Sequence, residues 1–443
     1  PGMVHPVINY SFESSEKAYQ FEHITSGVEY SGEKLQTTVV IGRRENHLKI
    51  EDALLLSSRG YFSELDLRFQ TRNGWNQSLI YRKRMKTYMM EEKDLDYDLA
   101  QARIFFRKPS HPFRLDVKIK LEETLTENRA TVYDSVGVGL GTYRYDPQFE
   151  EYVPDPNGAY IAYTILTGSH EPTTQFEGIQ RLEYDFGKRL NSKFKDVKYR
   201  LDWFWDFNGQ NFSVNRYMED DLNASTIIRS RSKLRHEWDY VNRTGRQIRT
   251  WWLSEKDLNN MDPRGADLRK NTELALDWLE SISANMHAVV KLNQHDSKVE
   301  SGFSHSRDRS AQGTWAEIGI KKRFSSLWQT EALLQSGYDT GKHQSSNYSA
   351  DLRGIRLDIL HFFSSKGRLQ GRFEWSTVSL DSEAAYLPPE AVRGHALGDT
   401  RKANIQGHIL LRQNFSINVT INYISDIRYD NFINIMGEIR AYF

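Results

Sequence analysis

Cysteine is absent from all 443 residues. A disulfide framework, a thiolate metal site and a cysteine nucleophile are therefore excluded, while export to the cell envelope remains compatible. Long hydrophobic runs are also missing. No stretch approaches the roughly 18 consecutive apolar residues of a membrane helix, which excludes an α-helical membrane protein. Charge of one sign is missing too: 59 basic side chains meet 59 acidic ones. A nucleic-acid binder needs a basic surface to displace counterions from phosphates, so nucleic acid is not expected as a partner. Apolar residues show no sustained helical period. What the chain does have is 10 Trp, 23 Tyr and 22 Phe, too many for disorder. Little is left but a large β-protein. The opening Pro1-Gly2-Met3 has no charged and then apolar leader behind it, and reads as a mature, trimmed or excerpted chain.

The positive signal is alternation with a period of two. Val197, Tyr199, Leu201, Trp203, Trp205 and Phe207 share one face, against Lys198, Arg200, Asp202, Phe204 and Asp206 on the other. Phe113 to Leu121, Leu369 to Trp375 and Phe415 to Tyr423 repeat the pattern. Each is a strand with one apolar and one strongly polar face. A soluble sandwich and a transmembrane barrel both write this pattern, and the connections decide between them. Short links near 187–193, 241–246, 281–285, 324–326, 364–367 and 412–414 take turns with long ones near 208–224, 255–270, 296–312, 339–350 and 381–402. That rhythm belongs to an all-β, antiparallel, up-and-down transmembrane β-barrel with short periplasmic turns and long outer loops. Fourteen strands follow from Phe113 onward, and earlier segments raise the count to about 20. Residues 1–60 alternate less cleanly and form N-terminal strands of the barrel or of a periplasmic or capping domain. Residues 61–443 form the barrel, with a tight Asn73-Gly74 hairpin and with 124–175 as an ordered loop or β-extension. The Trp residues 203, 205, 328 and 375 are expected to face lipid or its interfaces.

Several constellations invite a chemical reading. Gly137, Gly139 and Gly141 suggest a phosphate cradle, but Thr142 stands where the last glycine should be and no helix follows, which favours a turn. Asp146, Asp155 and Asn157 offer oxygen ligands to calcium, yet Asp155-Pro-Asn-Gly158 is strong turn chemistry in its own right. Scattered histidines lack metal-ligand spacing, so no metal or other cofactor is expected. Ser283 near His287 is a strand-borne candidate for a barrel hydrolase, but no nucleophile motif accompanies it, and the chain is not read as an enzyme. The most informative group is cationic. Arg229, Arg231, Lys233 and Arg235 recur at every second position, a ladder of charge on one strand face. Asp202, Asp206 and Glu374 are the acids of matching parity expected to oppose it across a lumen. Such a ladder either orients or selects solutes, as charged rings do in pores, or is a solvated barrel wall with no gating role.

The last strand carries Gly437 and ends on Tyr442-Phe443. It resembles the terminal signal by which the barrel-assembly machinery takes up outer-membrane proteins, with the glycine one residue farther from the end than usual. The segments Tyr386-Leu-Pro-Pro-Glu390 with Arg393-Gly394, Gly437 to Phe443, Val136 to Tyr143 and Glu151 to Tyr160 resemble the C-terminal β-barrel region of large outer-membrane proteins of the Bacteroidota and related phyla. The resemblance implies a Gram-negative outer-membrane location, with lipid, the assembly machinery and other envelope proteins as partners, and no particular reaction. Together these readings point to a porin-like pore or translocation channel for polar solutes or a polypeptide. The rival is a structural or docking subunit whose filled barrel anchors loops or a larger surface assembly.

Overall fold

The computed structural model describes residues 2–14, 19–50, 53–89, 94–148, 150–189, 194–210, 212, 226–261, 266–302, 307–343, 346–363, 366–382, 387–412 and 415–441. Among them the chain is all-β: an antiparallel, up-and-down sheet of 22 strands with only short 3-10 turns besides. The strands are β1 (Met3–Ser14), β2 (Tyr19–Ser31), β3 (Leu35–Ile50), β4 (Ala53–Gln70), β5 (Trp75–Tyr88), β6 (Leu95–Arg107), β7 (Phe113–Ser135), β8 (Gly141–Asp146), β9 (Glu151–Gly158), β10 (Tyr160–Asp185) and β11 (Val197–Gly209). They continue with β12 (Ile227–Val241), β13 (Gln247–Asn259), β14 (Asp267–Ser283), β15 (Met286–Ser301), β16 (Arg309–Arg323), β17 (Trp328–His343), β18 (Ser346–Phe362), β19 (Gly367–Ser382), β20 (Gly398–Arg412), β21 (Phe415–Asp426) and β22 (Tyr429–Ala441). The excess over twenty has a simple source. β7 pairs directly with β10, and β8 and β9 form a hairpin at the tip of that pair. The alternation within the hairpin is too short to count as strands from sequence.

Two compact units divide the chain. The first comprises 1–184, 201–233 and 257–268. In it β1 to β7 pair strand by strand in order. Asn73-Gly74 makes the β4–β5 turn: Gly74 has φ +95°, and a Cβ there would lie 2.6 Å from the Arg107 carbonyl oxygen. Glycine alone satisfies both conditions. At the hairpin tip Tyr133 stacks on Tyr152 at 4.0 Å, with Tyr143, Tyr145 and Tyr160 around them. The core of this unit differs from expectation. Phe207 and its apolar neighbours do not all stay exposed. Phe176, Phe207, Ile227, Leu258 and Leu268 are buried together, Trp205 packs against them, and Phe212 of the β11–β12 link stacks on Phe176 at 4.6 Å.

The second unit comprises 185–200, 234–256 and 269–443. Its strands β15 to β22 run 12 to 17 residues and pair in order. Two of the expected long loops shrink here. Lys342 pairs with Asn347 and His343 with Ser346, so β17 and β18 extend through most of the link read as 339–350. Ser297 pairs with Ala311 and Val299 with Arg309, which trims the link read as 296–312. Near these ends the apolar residues of one face are few and mostly small, Ala311 and Ala350 beside Tyr348, so the hydrophobic alternation thins although the backbone ladder continues.

Polarity in this unit is inverted relative to a soluble sheet. Along β17, Leu334 is 64% exposed while the next residue, Gln335, is 5% exposed. Ile318, Ile355, Phe373 and Trp375 lie open on the apolar face, whereas Glu317, at 4%, and Asp339 are buried on the polar one. Trp328 is likewise exposed, as the sequence implies.

Candidate functional site

The polar face of the second unit is closed by a piece of chain rather than by another sheet. Residues 387–397, from the long β19–β20 link expected to stand outward, lie on the polar face of β16, β17 and β18. The strands make room with small residues. Ala311 and Ala350 are fully buried, and a Cβ on Gly337 would approach the Trp315 ring to 2.9 Å. Into this depression Ala391 and Val392 pack against Trp315, Tyr348, Leu352 and Val378.

Polar latches hold the segment at each end. Arg309 donates from Nε and Nη2 to the two Glu390 carboxylate oxygens, both at 2.7 Å, a bidentate pair. Burial by itself would raise the Glu390 carboxyl, but the Arg309 hydrogen bonds and charge outweigh it and hold Glu390 below the usual carboxylate range. The Val392 backbone N–H donates to Asp339 Oδ2, and His295 Nε2 lies 3.2 Å from the same oxygen. His395 shares a 3.1 Å hydrogen bond with Ser376 and stacks on Trp315 with ring centroids 5.6 Å apart. Burial first, then the charges of Lys402 and Arg393, push the His395 imidazole down to about 4, so it docks neutral. Arg393 lies 5.4 Å from the Trp315 ring centroid. Val392 and Arg393 have φ of +42° and +56°, a strained conformation for side-chain-bearing residues, and for a β-branched one above all. The contacts around the segment over-determine this backbone.

Beneath the segment is a cavity of about 410 Å³ whose lining includes Trp251, Asp277, Lys291, Glu317, Arg356 and Glu374. Its charges are largely paired. Glu317 meets Lys291 at 3.3 Å and Arg356 at 2.8 Å, and Arg356 also reaches Asp358 at 3.0 Å.

The residues singled out from the sequence fall into several settings. Arg229, Arg231, Lys233 and Arg235 all lie on β12, as the ladder requires. Arg229 Nε is 3.9 Å from Asp206, and Arg235 pairs with Glu237 while lying over Trp251 at 5.0 Å. Asp202 instead accepts from Arg181 at 2.6 Å. Glu374 lines the cavity, its Oε1 3.6 Å from His395 Nδ1. Of the three expected acids, Asp206 meets the ladder, at Arg229. Asp146 and Asp155 flank Arg144 at 3.7 and 3.6 Å, and each caps its own turn, with Asp155 accepting from Asn157 N. Among the described residues no three His, Asp or Glu gather as metal ligands. Gly137 and Gly139, with φ of +102° and +82°, make a tight turn and no phosphate cradle with a helix behind it. Ser283 Oγ accepts from the Asn285 N–H in the β14–β15 turn. Gly437 pairs with Val419 in β22, while Tyr386, Tyr442 and Phe443 lie outside the described residues. The infolded segment was missed by reading it as an outer loop. Its signal was the apolar content of Leu387, Ala391, Val392, Ala396 and Leu397, which shows that the link packs and not which strands it meets.

No family model matches the chain, and no curated protein does. Solved structures with a similar course exist. The siderophore receptor PirA from Pseudomonas aeruginosa aligns over 99% of this chain and 72% of its own, at 9% identity and a TM-score of 0.41. A copper transporter, OprC, aligns over 95% and 69%, at 9% identity and 0.38. The FrpB iron transporter from Neisseria meningitidis aligns over 97% and 81%, at 8% identity and 0.36. At such values the functional reading rests on this chain's own residues.

Proposed function

We propose that the chain is a β-barrel of the Gram-negative outer membrane that passes polar solutes or a polypeptide segment through its interior, with residues 387–397 as the constriction. The inverted polarity of the second unit carries this reading. A sheet that exposes Leu334, Ile318 and Trp375 while burying Glu317, Gln335 and Asp339 has lipid, not water, as the solvent of its open face. Strands of 12 to 17 residues exceed the roughly 9–11 needed to cross a bilayer. The polar face then borders the path of the solute.

The purified protein is expected to need detergent to stay monodisperse and to conduct ions in planar bilayers. Monodispersity without detergent sinks the membrane reading. A second reading has its own observation: the charges facing the cavity are paired and capped, as in a filled barrel that anchors a surface assembly. A detergent-requiring protein that never conducts, even with 387–397 displaced, decides for the anchor.

A further inference from the structure

We propose that Arg353 and Arg401, on the apolar face of β18 and β20, form a binding site for the phosphate of an anionic lipid headgroup. The proposal rests on the outer-membrane reading of that face and not on conduction through the interior. Where hydrocarbon would touch it, the face carries no charge. Leu334, Ile355 and Trp375 pair across β17, β18 and β19. Toward the short turns come Ala332, Leu357, Phe373 and Ala403, and then Thr330, Ile359, Gly371 and Ile405. Arg401 pairs with Trp375 at the far margin of this band, and Arg353 lies two residues beyond Ile355, away from the turn. Depth along the strands agrees. Arg353 is nine residues from Phe362, where β18 ends, and Arg401 is eleven from Arg412, where β20 ends. A tilted strand needs about 9–11 residues to cross a bilayer. Both bases therefore stand where hydrocarbon gives way to headgroups. Trp375, 51% exposed, and Tyr338, 48% exposed, lie on the same face near this margin, where interfacial aromatics gather.

The charges point the same way. Both guanidiniums are exposed and have no ion pair or hydrogen bond among the described residues. On the polar face of the same strands the contrast is plain, since Arg356 and Arg372 both hold Asp358. The acid nearest the two bases in register, Asp399, accepts from Thr377 Oγ1 at 2.6 Å and joins neither of them. Along each strand the base lies nearer the lipid than the acid does, Arg353 before Asp351 and Arg401 before Asp399. That order suits a layer whose phosphates lie next to the hydrocarbon, because it attracts at the phosphates and keeps carboxylates farther out. In register the two arginines are two strands and two residues apart, about 10 Å across and about 7 Å along. Two long side chains so placed hold one headgroup between them, above Trp375 and Thr377. Their planar forks match phosphate oxygens.

The test uses the purified full chain in detergent, with bound lipid followed by native mass spectrometry. It is titrated with phosphatidic acid, whose headgroup is a bare phosphate, and with phosphatidylcholine, whose headgroup has no net charge. Phosphatidic acid is expected to bind more tightly, and its advantage should shrink as added salt screens the exposed arginines. Arg353→Gln and Arg401→Gln should each weaken phosphatidic acid about fivefold, and together about twenty-five-fold. Phosphatidylcholine should bind as before in both. Arg368→Gln removes an exposed arginine from the polar face of β19 and should change neither lipid. Heat-modifiable migration on gels confirms that each variant is folded. Equal affinity for the two lipids overturns the proposal, as does unchanged affinity for phosphatidic acid in the folded double variant. Inorganic phosphate that competes as well as the lipid makes this a site for a free anion and overturns it equally. A detergent-requiring protein without lipid preference ends this inference and leaves the membrane reading. A loss confined to Arg368→Gln puts lipid on the polar face and ends both.

Discussion

The polar faces of the two units are built from the same residue types and end in opposite electrostatic conditions. In the first unit Arg103 makes two hydrogen bonds with Asp116, yet the side chains are 50% and 36% exposed. In the second, Arg356 meets Glu317 at a comparable 2.8 Å, with exposures of 14% and 6%. The distances match and the surroundings do not. Residues 387–397 are part of that difference, covering β16 to β18 and removing water from pairs that would otherwise resemble those on β6 and β7. A wet ion pair contributes about 0–1 kcal/mol, whereas taking one partner from a dry pair leaves a buried charge and costs about 3–5 kcal/mol. The comparison can therefore be broken at the latch of the segment, at its titrating groups, in the ladder and at the wet pairs, in falling order of effect.

The largest effect is expected at Arg309. Arg309→Met leaves Glu390 without its bidentate partner on a face it otherwise helps to close. Docking of 387–397 should weaken by about 3–5 kcal/mol, more than enough to release a backbone strained at Val392 and Arg393. Single-channel conductance should rise, and Arg393 should become open to trypsin. Unaltered conductance with a folded barrel would show that the segment does not constrict the path.

Acid should do the same reversibly. His395 titrates at about 4 when docked against an ordinary 6.5, so the undocked segment binds more protons between those values. Its contribution to docking is complete above about pH 6.5, falls through the window and is gone below about 4, on the order of 3 kcal/mol in all. Glu390, held low by Arg309, adds in the same direction, since its contribution stands above its ordinary value of 4.5 and is lost as pH falls further. The groups around His395 are Ser376, Glu374, Trp315, Arg393, Lys402 and Glu317; the charges of Lys402 and Arg393 oppose its protonation and that of Glu317 favours it. Trypsin cleavage at Arg393, followed from pH 7 to 4, should rise through this window. His395→Gln should flatten the profile above pH 4.5. A profile identical in the two proteins rules His395 out as the titrating group.

How much of this was legible follows from what each feature writes into the chain. Strand alternation such as Phe415 to Tyr423 is a local signal, because one face meets one solvent along its whole length. The resulting strands, the Asn73-Gly74 turn and the parity of the β12 ladder all stand in the structure. The pairing of β17 with β18 as far as His343 and Ser346 and the seat of 387–397 were not legible. In the first, Lys342, His343, Ser346 and Asn347 are all polar, so the end of the ladder leaves no hydrophobic pattern. In the second, Leu387, Ala391 and Val392 are a sign that the link packs, but where it packs depends on which strands lie opposite, and neither Val392 nor Glu390 carries that information in its neighbours. Ion-pair partners fail for the same reason. Parity places Asp202 and Asp206 on the charged face, but only strand register assigns Asp202 to Arg181 and Asp206 to Arg229.

A smaller effect is expected in the ladder. Arg229 and Arg235 are already engaged by Asp206 and Glu237, so β12 does not present four bare charges. Exchanging Arg231 and Lys233 for glutamate should still move the reversal potential toward cations, and the shift should shrink at 1 M salt, where screening acts over about 3 Å. A reversal potential that stays in place removes the ladder from ion selection.

The smallest effect belongs to the wet pairs, and it tests the comparison from the other side. If burial, not geometry, separates the two units, the well-formed Arg103–Asp116 bridge should be nearly dispensable. Arg103→Met and Asp116→Asn, with their double variant, form a cycle whose coupling energy should be about 0.2–1 kcal/mol and should fall further with salt. The same cycle on Arg356 and Glu317 should return several times more, with each single variant worse than the double, because removing both charges leaves none buried alone. Thermal unfolding in detergent reads all six variants. Equal couplings in the two cycles would mean that residues 387–397 exclude no water from the face they cover, and the contrast between the units would reduce to hydrogen-bond geometry.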